Sequence, residues 1–219
     1  NQPLTLQVAS RTINAPADVT ASYRFGHALV KQIWNRMGLG AFFRKNSGKR
    51  NAEAVEKAIY YLVAHRLADP ASILASASEQ IRYAGIEPLG LNVFYQVLGT
   101  LAEQKDAVIE HLCAFFEKNS TRSGPQAYYD VTTYAFESTK WGELRMFGFS
   151  KDHKNNEVQV VMGLLLDNNG IPITYELFPG NTMDQSTLTC AVEKLKARYR
   201  LEKIVVVADR GLNSGDNLA

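Results

Sequence analysis

At 219 residues, 46% of them hydrophobic and 21% charged, the chain has apolar material for one large core or two small ones. No apolar run approaches the ~18 residues of a membrane span, and no charged-then-apolar leader opens the sequence. The net charge of +2 is unevenly spread, with 14 basic and 10 acidic side chains in residues 1–127 and 10 and 12 in residues 128–219.

The chain begins with Asn1 rather than Met, so loss of an upstream segment is expected. Cys113 and Cys190, far apart and on the apolar sides of helix-like patterns, are expected as buried reduced thiols, which points to a cytoplasmic protein. His27, His65, His111 and His153 lack metal-ligand spacing, and none is assigned as a ligand.

Residues 1–21 lack helical periodicity and read as an extended arm. From about Ser22 a helix is expected, with Phe25, Leu29, Ile33 and Met37 as its apolar face, ending near Gly38 and Gly40. Residues 44–50 read as a basic loop. No acid occurs between Asp18 and Glu53, which makes Arg44, Lys45, Lys49 and Arg50 candidates for DNA phosphate contact, the alternative being an ordinary solvated loop.

A second helix starts after Asn51, places Val55, Ile59, Leu62, Val63 and Leu67 on one face, and stops at Asp69-Pro70. A third covers about Ala71 to Tyr83. A fourth, longer helix starts near Asn92 and carries Phe94, Leu98, Leu101, Val108, Leu112 and Phe115, with Gly99 as its weak point. Trp34 and the pair Phe115/Phe116 read as core rather than base-stacking platforms. Residues 119–125, rich in Ser, Gly and Pro, are expected as a linker between a helical region (22–118), the candidate for DNA binding, and a strand-rich domain (126–219).

In that second half the first strand holds Asp130 and the second runs from about Glu157 to Leu166. The run Asp167-Asn168-Asn169-Gly170 signals a two-residue hairpin, and Pro172 to Phe178 returns as a third strand. Thr182 and Gln185 are spaced as a capping box opening a crossover helix, with Asp184 as a capping acid and Asp152 as a turn residue. The β-branched run Lys203–Ala208 suits a strand parallel to the first, which a right-handed crossover permits. An α+β / α/β chain results, helices first and then a mixed sheet.

Asp130 and Asp209, 79 positions apart, each stand in such an apolar run. On neighbouring strands ~4.8 Å apart, their carboxylates are expected to face each other at roughly 5 Å. Both ionised, they would repel by about 3 kcal/mol at an effective dielectric near 20, favouring a shared proton or a bound divalent cation. The bland alternatives are a helix-capping role for Asp209 and hydrogen bonds from Thr132 or Tyr134 to Asp130.

Four segments then align with one family. Tyr129-Asp130-Val131-Thr132-Thr133 with Phe136-Glu137-Ser138, then Gly148 to His153, Phe178-Pro179-Gly180-Asn181-Thr182, and Val207-Ala208-Asp209-Arg210-Gly211 resemble the catalytic core of bacterial insertion-sequence transposases of the DDE type. The resemblance covers about Tyr128 to Ala219 and, more loosely, Ala64–Pro70 in the helical half.

It implies an incomplete ribonuclease-H-like sheet in which Asp130 and Asp209 are the first and second catalytic, metal-binding acids. Two Mg²⁺ (or Mn²⁺) ions would be the cofactors. The partners implied are double-stranded DNA at element ends and target, and a second copy of the chain, in a nucleoid-associated cytoplasmic protein with no membrane contact. Arg210, next to the second acid, would contact a phosphate or pair with Asp209. The family's third acid, a glutamate on a later helix, has no counterpart before Ala219, so this chain is expected to be an inactive fragment of an active parent. The competing reading is a non-catalytic DNA-binding or dimerisation remnant.

Overall fold

The computed structural model describes residues 23–48, 51–119, 126–148, 157–182 and 203–207. Two compact units divide the chain, Asn1–Val108 and Ile109–Ala219. Helices make the first and a mixed five-stranded sheet dominates the second, an α+β arrangement.

In the first unit α1 (His27–Arg36) and α2 (Leu39–Asn46) are separated by Gly38, whose φ of 67° lies in the left-handed region that glycine adopts without strain. The basic segment is therefore partly helical: Arg44 and Lys45 stand in the last turn of α2, where cations complement the helix dipole. The stripe expected to be the buried face of α1 is also reassigned. Phe25, Leu29 and Ile33 are 57%, 41% and 49% exposed, and the buried residue of α1 is Trp34.

Helix α3 (Ala52–Ala68) is the centre of this unit. It buries Val55, Glu56, Ala58, Ile59, Tyr60, Tyr61, Ala64 and His65, far more than one stripe. Val63 and Leu67, expected on its apolar face, point outward. Asp69 leaves the helical region (φ −157°, ψ 83°) before Pro70, whose ring disfavours the helical conformation there. Ser72 caps α4 (Ile73–Ser78) by accepting from the Ala75 amide at 3.2 Å, and a 3-10 turn, Glu79–Arg82, follows.

The long helix expected from Asn92 is two helices, α5 (Leu91–Glu103) and α6 (Lys105–Lys118), parted at Gln104 rather than at Gly99. The Gln104 amide reaches the Asn46 carbonyl at 2.9 Å, a contact no local pattern reveals. Trp34, Phe43, Ile59, Tyr61, Phe94 and Val97 form the core of the unit.

In the second unit β1 (Gln126–Phe136) is paired on both edges. It runs antiparallel to β3 (Val158–Asp167) and parallel to β5 (Lys203–Val207). The other edge of β3 takes β4 (Pro172–Pro179) and the two-residue β2 (Met146–Phe147), both antiparallel. Three antiparallel strands followed by one parallel to the first is the succession expected from the sequence, with β2 unforeseen. The β3–β4 turn is longer than the two-residue form. Asp167 and Ile171 pair across a three-residue loop with Gly170 at φ 75°, and Asp167 Oδ1 accepts from the Asn169 and Ile171 amides at 2.9 Å each. The arm 1–21 and the crossover segment with Asp184, Gln185 and Cys190 lie outside the described residues, as does Asp152.

Candidate active-site face

Strand alternation sorts β1 into two rows. Ala127, Tyr129 and Val131 pack with Leu165 and Ile204, and with Ile109 and Cys113 of α6. Cys113 is a buried free thiol, as expected. Tyr129 is 1% exposed, and burial together with the nearby Glu176 charge pushes its hydroxyl up to about 12. Its ring lies across Gly163 of β3, where any Cβ would collide with it. That interlock fixes β1 against β3 and leaves Tyr128, Asp130, Thr132, Tyr134 and Phe136 as the opposite row.

Asp130 is half-buried in that row. Neither the Thr132 nor the Tyr134 hydroxyl is hydrogen-bonded to it. Its Cα partners are Leu164 on β3 and Val207 on β5. The position opposite Asp130 is Val207, two residues before Asp209 in the sequence, and the expected face-to-face pair of carboxylates falls outside the described residues. Asp209 and Arg210 lie outside the described residues.

Among the described residues no three His, Cys, Asp or Glu side chains gather as a metal site. Asp130 brings one carboxylate, and a hard divalent ion needs several oxygen ligands.

Two of the four motif segments meet in space. Gly148 and Gly180, remote in sequence, come together where β2 and β4 abut along β3. A Cβ on Gly148 would strike the Gly180 carbonyl, and one on Gly180 would strike the carbonyls of Gln159 and Met146. The buried Gln159 side chain bonds the Gly180 carbonyl at 2.8 Å, and the Gly180 amide donates to the Leu144 carbonyl at 3.0 Å. Glycine at both positions is a packing requirement. Sequence reading missed Gln159 and β2, since a two-residue strand carries no periodicity.

In the first unit the basic candidates separate. Arg44 Nη1 lies 3.4 Å from Glu56, a carboxylate 5% exposed that also receives Trp34 Nε1 at 2.9 Å and Lys31 Nζ at 3.3 Å. Arg44 therefore has a structural partner as well as a half-exposed charge. Lys45 is exposed, and Lys49 and Arg50 lie outside the described residues. Trp34 is 3% exposed and stacked on Phe43, a core residue as expected, whereas Phe115 and Phe116 are half-buried, edge-to-face at 5.5 Å.

His27 and His65 belong to the same interior. His27 Nε2 lies 2.9 Å from the Ala84 carbonyl and Nδ1 lies 2.9 Å from the Tyr60 hydroxyl, while His65 Nδ1 meets the Tyr83 hydroxyl at 2.7 Å. Burial lowers the pKa of both histidines, and the Lys31 charge adds to the effect on His27.

No family model, no curated protein and no solved structure matches the chain. No described helix is long and apolar enough to cross a membrane.

Proposed function

We propose that this chain carries part of the catalytic core of a DNA transposase, which cleaves and joins strands by phosphoryl transfer at the ends of an insertion element. The observation that carries the reading is the register at the middle of the sheet. Asp130 sits on the strand paired on both edges and opposite Val207 of a parallel neighbour, and the sequence supplies Asp209 two positions later. The rigid β1–β3 interlock supports a fixed carboxylate, and the half-exposed row around it supports access by DNA. Divalent ions, when bound, would supply charge neutralisation and an activated oxygen nucleophile. Asp130, with Asp209, would be their protein ligands.

The test is nicking of supercoiled plasmid carrying the element ends by the intact protein in Mg²⁺ or Mn²⁺. Asp130→Asn and Asp209→Asn are each expected to lower the rate by at least about a hundredfold. Undiminished nicking by both variants would refute the assignment.

A second reading, a DNA-binding remnant without catalysis, draws on the basic end of α2 and the excess of cations in residues 1–127. It requires duplex binding that needs no metal, weakens steeply with salt, and ignores both aspartates.

A further inference from the structure

Helix α5 is half core and half open surface. Phe94 and Val97 are buried in the core of the first unit, with Leu101 packed against it. On the other side Leu91, Tyr95 and Leu98 are 37%, 52% and 44% exposed, and Asn92, Gln96 and Gly99 are exposed beside them. At about 3.6 residues per turn these six positions share one arc, centred near Tyr95 and Gly99.

From Pro88 to Ala102 the sequence holds no charged residue. The open arc therefore offers carboxamides and apolar groups. Among the described residues the Asn92 and Gln96 side chains, one turn apart, make no hydrogen bond. A carboxamide pairs with the N6 and N7 edge of adenine, and apolar groups meet the methyl of thymine. These are the side-chain types that read A·T pairs in a major groove. That groove, about 12 Å wide, admits a helix, and the 13 residues of α5 span about 20 Å.

Positive charge stands at the end of the same helix. Gln104, the residue after α5, bonds the Asn46 carbonyl at 2.9 Å, which holds the last turn of α2, with Arg44 and Lys45, beside the C-terminal end of α5. No acid occurs between Asp18 and Glu53, and Lys45 is exposed. Cations flanking an uncharged face match the division of labour in DNA readers, where phosphate contacts position and base contacts specify. Glu103, exposed in the last turn of α5, is the one opposing charge on the arc.

We propose that α5 reads duplex DNA in the major groove, with Lys45 on a flanking phosphate and a preference for A·T pairs. The inference rests on the DNA partner common to both readings above and names the surface that meets it.

The probes are two labelled duplexes two helical turns long, one of A·T pairs in mixed order and one of G·C pairs. Each is titrated into the 219-residue chain by fluorescence anisotropy. Gly99 is the decisive position, because a Cβ there meets nothing within 4 Å and glycine is a poorer helix former than lysine or glutamate. Gly99→Glu, its helix content checked by circular dichroism, is expected to weaken duplex binding roughly tenfold, and Gly99→Lys to strengthen it. Gln96→Ala should lower the preference for A·T roughly tenfold and leave the salt slope unchanged. Glu103→Gln should tighten binding to both duplexes.

Equal affinity of the wild-type chain for the two duplexes, or wild-type affinity in both Gly99 variants, would overturn the proposal. So would a Gly99→Glu chain that loses self-association in sedimentation yet binds DNA unchanged, since the face would then belong to a second copy. The readings fail separately. Duplex binding that responds to Lys45→Glu but to no change on α5 removes α5 alone, whereas no duplex binding by the wild-type chain removes the DNA partner on which it rests.

Discussion

Glu56 is buried among apolar side chains and answered by an indole N–H and two cations, Lys31 and Arg44, that are themselves 41% and 51% exposed. Removing one member of a buried ion pair generally costs about 3–5 kcal/mol, and the half-exposed cations reduce that through solvent screening. Glu56→Ala is therefore expected to destabilise the first unit by about 2–3 kcal/mol in urea denaturation. Glu56→Gln, which keeps an acceptor for Trp34, should cost less. Equal losses in the two variants would show that the Trp34 bond contributes nothing.

His27, half-buried, and His65, buried, give a pH dependence whose sign can be worked out. Both have folded pKa values below the ordinary 6.5, so the unfolded chain takes up protons first as pH falls. Their contribution to stability is complete above about pH 6.5 and is lost as pH drops from there through the depressed folded values. Asp69, held below its ordinary 3.8 by Arg24, acts in a separate acid window, losing its contribution as pH falls below that value. Thermal melts should thus drop between pH 7.5 and 5, a fall diminished by His27→Gln. A melting temperature flat across that range would contradict the assignment.

Among elements, β1 shows how packing chooses a register. Tyr129 over Gly163 pins β1 against β3, and a one-residue slip would carry Asp130 to the α6 side. Gly163→Ala is expected to cost about 2 kcal/mol or more, because the added methyl meets a ring already 1% exposed. An unchanged denaturation midpoint would mean that the ring is free to move. Helix α2 shows the converse: the sequence marked its cations and misjudged their setting, since eight residues after a glycine carry too little periodicity to announce a helix. The break at Gln104 was equally hidden, since no glycine or proline marks it and the Gln104 side chain bonds the remote Asn46 carbonyl.

For the whole molecule, charge and candidate chemistry are segregated along the chain. Basic excess belongs to residues 1–127 and the acidic candidates Asp130 and Asp209 to the remainder. Duplex affinity is expected to follow the first part. Reversing Lys45 to Glu should lower it and reduce the slope of log K against log salt by about 0.9, the signature of one lost phosphate contact. An identical slope would remove Lys45 from the interface. Arg44 reversal should show in stability too, because Glu56 depends on it.

Local signals settled much of this chain. The helix-to-strand change after residue 118, the antiparallel succession closed by a parallel strand, the stop at Asp69-Pro70 and the burial of Trp34 all follow from periodicity, punctuation and β-branched runs. Those patterns depend on neighbours within a few residues. The outward Phe25–Leu29–Ile33 stripe, the many-sided burial of α3, the meeting of Gly148 with Gly180, and the place of Val207 opposite Asp130 were decided elsewhere. Each depends on which remote surface an element meets and at what register, and only the tertiary packing supplies that partner.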